Sequence, residues 1–222
     1  MAQLKTIHLE LPAGIDDLRN LEIGAVAYLS GRIFTAREGV YKRAIEDGVG
    51  MPASRDVLGL VNFHCSPAAT VNPDGSYIVG AVTATASFRF AKWLDGWFAV
   101  SGCNIIIGKG GMTSDVYRRS FIPHAAVYLT TVGYGTGALL GRGIRRVAGV
   151  YWLAELGLAQ AVWVLDVEKF GPFLVESDLA GNSLFERENA RIAPGLDRLY
   201  AGTRPAILRR YGETDDKTEE MI

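Results

Sequence analysis

The sequence predicts an α/β fold, and three observations carry the prediction. Strand-like and helix-like segments alternate from about residue 20 to residue 178, the pattern of α/β domains. Several strand-like runs, such as Ile105–Ile107, are short and apolar throughout, as strands buried on both faces are. Hydrophobic residues make up 49% of the 222 residues and charged residues 21%, enough for a packed core.

In chain order, MAQLKTIHLELPAG alternates as a strand, and GAVAYLSGRIFT, rich in β-formers, should be another. AREGVYKRAIEDG then reads as a helix, with Val40, Ala44 and Ile45 at helical spacing and Gly48 at its stop. LGLVNFHCSP reads as a strand closed by Pro67, and VNPDGSYIVGAV as a turn running into a strand. FAKWLDGWFAV is amphipathic and helical, with Trp93 and Trp97 as core anchors. CNIIIGKGG is a buried strand ending in glycine, TSDVYRRSF a capped helix, and HAAVYLTTVG a further strand. TGALLGRGIRRV reads as a helix carrying two glycines, and AVWVLDVEKFGPFLVESD as two strands. LAGNSLF resembles a hairpin turn, with Gly181-Asn182 supplying left-handed conformations. Residues 1–186 thus form the predicted domain. Residues 187–222 are an extension, broken by Pro194 and Pro205, that packs on the surface or on another chain and ends in a disordered acidic tail.

Charge excludes some functions. Lys and Arg number 23 against 24 acids, a net charge of −1, so the electrostatic footprint of a nucleic-acid binder is missing. No apolar run approaches the roughly 18 residues of a membrane span, and the opening segment lacks the apolar core of a signal peptide. A cytoplasmic protein is expected. Two cysteines, Cys65 and Cys103, and three histidines, His8, His64 and His124, do not have the spacing of a structural zinc site. They are too few for an iron–sulfur cluster held by this chain alone.

Four motifs bear on chemistry. In TARE, Thr35 and Glu38 fit a capping box. Arg37 falls in the first helical turn, where the helix dipole disfavours a cation, so a compensating anion is expected: a substrate carboxylate or an acidic neighbour. IIIGKGG fails as a nucleotide phosphate loop in two respects, the spacing from Gly102 and the Gly110 after the lysine. What remains is Lys109 on a glycine turn at a strand end, where ligands sit in open α/β sheets. VGYGTGALL fits the G-x-G-x-x-A variant of the dinucleotide fingerprint through Gly133, Gly135 and Ala138, with Glu155 about 20 residues on. Gly141 and Gly143 weaken the helix that would hold a pyrophosphate, and dinucleotide binding stays as an alternative. GAVTATASFRF, finally, ends in Arg89, four residues after Thr85.

Taken together, SGRIFTAREGVYKRA, GAVTATASFRF, IIIGKGGM and AELGLAQAVWVLDVEKFGPFLVESDLAGNSLF resemble one family. It is that of the L(+)-tartrate dehydratase β subunit and the C-terminal domain of class I fumarases. The last block matches through Glu155, Trp163, Glu168, Phe170, Asp178, Gly181 and Asn182. The resemblance implies a swivelling β/β/α domain. It also implies a hydro-lyase that adds water to, or removes it from, a dicarboxylic acid, with a 4Fe-4S cluster carried by a separate α subunit. It assigns carboxylate binding to Arg37, Arg89 and Lys109, and proton transfer to Thr85 with Arg89. If the segment opens a helix, Thr85 and Arg89 share a helix face, and the guanidinium then lowers the pKa of the hydroxyl. This chain departs from the family pattern at Ala84, Ala86, Tyr41 and Gly133-Tyr134-Gly135. Tyr41, where the family has histidine, is expected to reshape the pocket, so the substrate is a C4 or C5 hydroxy acid not fixed by the resemblance. An assembly or binding subunit without turnover is the competing reading.

Overall fold

The computed structural model describes residues 4–133 and 135–202. Their strands are β1 (Thr6–Glu10), β2 (Val26–Thr35), β3 (Val61–Phe63), β4 (Cys65–Val71), β5 (Tyr77–Ala84), β6 (Ile105–Gly108), β7 (Val127–Thr131), β8 (Ile144–Tyr151) and β9 (Val162–Ser177). The helices are α1 (Ile15–Leu18), α2 (Glu38–Tyr41), α3 (Arg55–Leu58), α4 (Leu94–Ser101), α5 (Ser114–Val116), α6 (Gly137–Arg142), α7 (Leu153–Leu156) and α8 (Leu184–Tyr200). π-turns at Lys42–Glu46 and Tyr117–Phe121 continue α2 and α5, and a 3-10 helix, Ser87–Trp93, leads into α4.

The main sheet closes on itself. β2, β3, β6 and β7 run parallel in that order, β7 pairs antiparallel with β9, and β9 pairs antiparallel back onto β2. β1 extends the sheet beside the first half of β2, and β8 beside the first half of β9. Strand alternation divides the core in two. Ile105, Ile107, Val127, Leu129, Trp163 and Leu165 point inward with Val61 and Phe63. Ile106, Tyr128, Val162 and Val164 point outward to meet Tyr41, Trp93, Trp97, Phe98 and Phe121 beneath the helices. Both faces are dry, which explains why these strands read as unbroken apolar runs. α4 turns Leu94, Trp97 and Phe98 inward at helical spacing and ends at Gly102, whose φ of +66° suits a glycine cap.

The α/β expectation and a sheet-dominated core are what the structure has, with five differences in detail. Pro67 does not close a strand; it lies inside β4 opposite Val82. β4 pairs only with β5, and an edge strand tolerates a residue without an N–H. The helix read over TGALLGRGIRRV stops at Arg142, and Ile144 begins β8. AVWVLDVEKFGPFLVESD is one 16-residue strand rather than two; Lys169 (φ +46°) and Gly171 (φ +156°) mark a bulge within it. LAGNSLF makes the expected turn, with Gly181 at φ +73° and an antiparallel bridge between Ser177 and Ser183, but leads into a helix rather than a second strand, with the Asp178 carboxylate accepting the N–H groups of Ala180 (3.0 Å) and Asn182 (3.1 Å). α8 runs through Pro194 instead of breaking there.

Contacts divide the described residues into a compact unit that ends at Arg187 and a second that begins at Glu188. The expected disordered acidic end and Pro205 lie outside the described residues. Among those described, no helix is long and apolar enough to cross a membrane.

Candidate functional site

Four parallel strands end on the same side of the ring, at Thr35, Phe63, Gly108 and Thr131. The residues just beyond them are therefore brought together by topology. Arg37 follows β2, His64 follows β3, and Lys109 follows β6. A fifth segment enters from the side. After β5, the chain inserts between the ends of β3 and β6, where Thr85 N–H donates to His64 O at 2.7 Å and Lys109 N–H donates to Thr85 O at 3.1 Å. Ser87 N–H donates to Lys109 O at 3.3 Å, and Ala86 pairs with Lys109 in a parallel bridge. Main-chain bonds thus set Thr85 and Lys109 side by side, so their relative position does not depend on flexible side chains.

Arg37 reaches the same region from β2. Its backbone is extended at the N-cap of α2, and its guanidinium donates to Ser66 Oγ and, at 3.4 Å, to Ala159 O. Ser66 pairs across the β4–β5 hairpin with Thr83, two residues before Thr85. Arg37 Nε is buried and has no hydrogen-bond partner among the described residues. The capping box does not form. Thr35 Oγ1 donates instead to Ala161 O (3.2 Å) and accepts Trp163 N–H (3.0 Å), joining β2 to the start of β9, while Glu38 pairs with Lys42 at 3.2 Å. A threonine at a strand end had a closer partner in the neighbouring strand than in the helix.

Arg89 is exposed, its guanidinium 5.8 Å from the Phe90 ring centre. Thr85 and Arg89 do not share a helix face: Thr85 precedes the helix, which begins at Ser87 and is of the 3-10 type. Three residues per turn do not align positions four apart.

A cleft of about 270 Å³ opens beside Lys109, lined also by Thr83, Ala84, Thr131, Thr136 and the glycines at 133, 135 and 137. It has room for a molecule of a few carbon atoms. Lys109 lines it; Arg37, Thr85 and Arg89 do not. The glycine run after β7 is a cleft wall, and its helix does not support the dinucleotide reading. α6 spans six residues, and the strand after it, β8, pairs antiparallel with β9 rather than parallel beside β7. The crossover unit of that motif is not built. Gly141 has a packing reason: a Cβ there would lie 2.1 Å from Gly80 O on β5.

Sequence reasoning missed a buried polar network behind the seam. His64, fully buried, has Nδ1 2.7 Å from Ser87 Oγ and Nε2 2.7 Å from Tyr41 Oη. Tyr41 donates to Asn62 Oδ1 at 3.0 Å and Tyr128 to Ser87 Oγ at 2.8 Å. Burial pushes His64 down to about 3 and raises the phenols of Tyr41 and Tyr128, so all three are neutral. Tyr41 does not reshape the cleft: it is buried, stacked on Trp97 at 4.0 Å and Phe90 at 5.2 Å. The signal in the sequence was His64 itself, a histidine at the end of an apolar strand, weighed only as a metal ligand. A second buried group, Glu176, accepts from Tyr117 Oη and from Ser183 Oγ (2.6 Å), and Tyr117 Oη in turn accepts Met112 N–H (2.9 Å), closing the glycine loop that carries Lys109.

Cysteine chemistry does not fit a cluster in this chain. Cys65 belongs to the inner core and Cys103 to the outer one. Burial pushes both thiols up, Cys103 to about 12. Among the described residues no three His, Cys, Asp or Glu side chains gather where a metal could bind.

These features define an α/β domain with a closed sheet whose parallel strand ends gather beside a small cleft lined by Lys109. The chain belongs to the fumarase C-terminus family, whose profile matches residues 1–188. It is 33% identical over 188 residues to a Methanocaldococcus jannaschii protein provisionally named L(+)-tartrate dehydratase subunit beta, covering 82% of this chain and 93% of that one. It is 29% identical over 189 residues to the L(+)-tartrate dehydratase subunit beta of Escherichia coli K12, covering 85% and 91%. A Geobacillus stearothermophilus protein provisionally named class I fumarate hydratase is 30% identical over 185 residues, which cover 83% of this chain and 34% of that longer protein. The relatives' names denote enzymes that add or remove water, and those named subunit beta imply a partner subunit.

Proposed function

We propose that this chain is the β subunit of a 4Fe-4S-dependent hydro-lyase that hydrates or dehydrates a C4 or C5 dicarboxylic acid in the cytoplasm. An α subunit carries the cluster, while this chain's own residues bind the carboxylates and move a proton. The observation that carries the reading is the main-chain seam joining Thr85 to Lys109. A dicarboxylate brings two negative charges, and proton removal beside a carboxylate develops further charge as an enediolate. Fixed cations act best where charge develops, because they need no reorganisation at the moment of reaction. Lys109 lines the cleft and binds one carboxylate; Arg37 and Arg89 bind the substrate as well, with planar guanidinium groups suited to a carboxylate. Thr85 carries the hydroxyl that exchanges a proton with the substrate. The extension beyond Arg187, whose helix exposes Ile192, Leu196 and Leu199, contacts the partner subunit.

The test is turnover of the assembled pair, purified anaerobically, over a panel of C4 and C5 acids. Lys109→Met, Arg37→Leu, Arg89→Leu and Thr85→Val should each lower kcat/KM by about 10²–10³, the usual loss when one charge-stabilising or proton-transferring group is removed. Assembly should be unchanged. Turnover unaffected by Lys109→Met would sink the site assignment. A wild-type pair inactive on every acid would leave the assembly-subunit reading in its place.

A further inference from the structure

We infer that His64 is a positioning residue that clamps the Thr85–Ser87 segment against Lys109, holding the proton-transferring hydroxyl in register with the cation. The inference rests on the proposed function for its catalytic consequence, though the clamp itself stands on geometry. His64 holds the segment at both ends: its carbonyl accepts Thr85 N–H at 2.7 Å, and its ring bonds Ser87 Oγ at 2.7 Å.

One proton order follows from Tyr128 donating to Ser87 and Tyr41 donating to Asn62. Each hydroxyl has one hydrogen to give. Tyr128 gives its own to Ser87 Oγ, which leaves Ser87 to donate to His64 Nδ1. Tyr41 gives its own to Asn62 Oδ1, so the bond between Tyr41 and the ring is made by a hydrogen on Nε2. The imidazole therefore carries its proton on Nε2 and accepts at Nδ1. Reversing that tautomer would set two donors against Ser87 and leave its buried hydroxyl hydrogen without an acceptor, a costly arrangement. The ring is held besides by the Phe90 edge, with centroids 4.6 Å apart. Gly108 makes room for the clamp, since a Cβ there would lie 1.8 Å from Ser87 Oγ and 2.6 Å from Tyr128 Oη. His64, Ser87, Tyr41, Tyr128 and Asn62 are all buried away from solvent. His64 acts through Ser87 and Thr85.

The experiment uses the full chain assembled with its partner and three variants: Ser87→Ala, His64→Phe and His64→Asn. Asparagine can present an acceptor oxygen near the place of Nδ1, so it is the conservative rescue. Amide hydrogen exchange is read first, over peptides spanning 80–90 and 105–112. Ser87→Ala and His64→Phe should speed exchange there and leave the β1–β2 amides unchanged, with His64→Asn close to wild type. In the active pair, kcat should fall about 10- to 100-fold in the first two variants with KM within about threefold, as misplacement of a reacting group by about 1 Å does. Unchanged exchange in both disruptive variants overturns the clamp whatever the activity. Faster local exchange with unchanged kcat overturns its catalytic role. Faster local exchange in a pair whose wild type turns over no acid upholds the clamp and sinks the proposed function instead.

Discussion

Two glycine-rich loops flank the cleft, and they are held in opposite ways. The loop after β6 is packed against polar side chains. Gly108 faces Ser87 and Tyr128, Gly111 lies against Glu176 and Phe185, and Met112 N–H is bound by Tyr117. The loop after β7 has open space around Gly133 and Gly135, and takes its support from α6, whose Gly137 and Gly141 press on the backbone of β5 at Val82 and Gly80. The first loop carries the cation and is held by hydrogen bonds that depend on protonation. The second forms a wall and, among the described residues, is held by the close approach of Gly137 and Gly141 to β5. Under the proposed function, a lysine that meets one carboxylate needs the first kind of support, and a wall that selects among acids can work with the second.

The largest expected effect separates the loops by pH. His64 is held neutral at about 3 in the folded chain against an ordinary 6.5. Between those values the unfolded chain binds the extra proton, so stability falls as pH falls. The contribution is whole above about pH 6.5 and gone by about pH 3, and by linkage amounts to on the order of 5 kcal/mol. Glu176 runs the other way, its carboxyl held above the usual range chiefly by burial, but it is common to wild type and His64→Asn and cancels in their difference. Urea midpoints from pH 7 to pH 3.5 should therefore drop more steeply in wild type than in His64→Asn. Parallel curves would show that the imidazole does not carry the first loop's pH dependence.

Much of this architecture was legible in the sequence, and the rest was hidden for physical reasons. Strands show as apolar runs because both faces of the ring are dry, and Lys109 stood out as a cation on a glycine turn after such a run. Ring closure was not legible, because Ile33 meets Leu165 across more than a hundred residues, a distance no local pattern spans. Thr35 misled for the same reason: its partners, Ala161 and Trp163, belong to β9 and to the turn before it. His64 could be located but not interpreted, because its meaning lies in Tyr41 and Ser87, which reach it from two separate segments.

Next in size are two alanine substitutions that probe the supports directly. Gly141→Ala would set a Cβ 2.1 Å from Gly80 O and 2.6 Å from its carbonyl carbon. Backbone cannot rotate away, so a loss of about 3 kcal/mol is expected, the upper part of the overpacking range. Gly108→Ala meets a side chain instead, Ser87 Oγ at 1.8 Å, and should cost about 2 kcal/mol. The two differ in what relieves them. Adding Ser87→Ala removes the crowding atom at Gly108 and should recover part of that loss, a coupling typical of residues in contact; it should do nothing for Gly141→Ala. Additivity at Gly108 would mean that Ser87 is not what fills the space.

The smallest effect tests whether the second loop is as open as its surroundings suggest. Gly133 has φ +70°, and a Cβ there would have no atom within 4 Å. The cost of Gly133→Ala is then the left-handed backbone alone, about 1 kcal/mol, with no steric part. For a chain of this length that is a fall in Tm of about 2–4 °C. Because the loop lines the cleft, the same substitution should change KM and the ranking of acids while leaving kcat for the best acid nearly untouched. Gly110 makes the matched control: its φ is +73°, it too has no neighbour within 4 Å, and it follows the lysine. Equal Tm losses with a kcat defect only in Gly110→Ala would show that the two loops differ in task rather than in rigidity. A kcat defect in both would mean that the wall also positions the reacting groups, and the division between cation and wall would have to be redrawn.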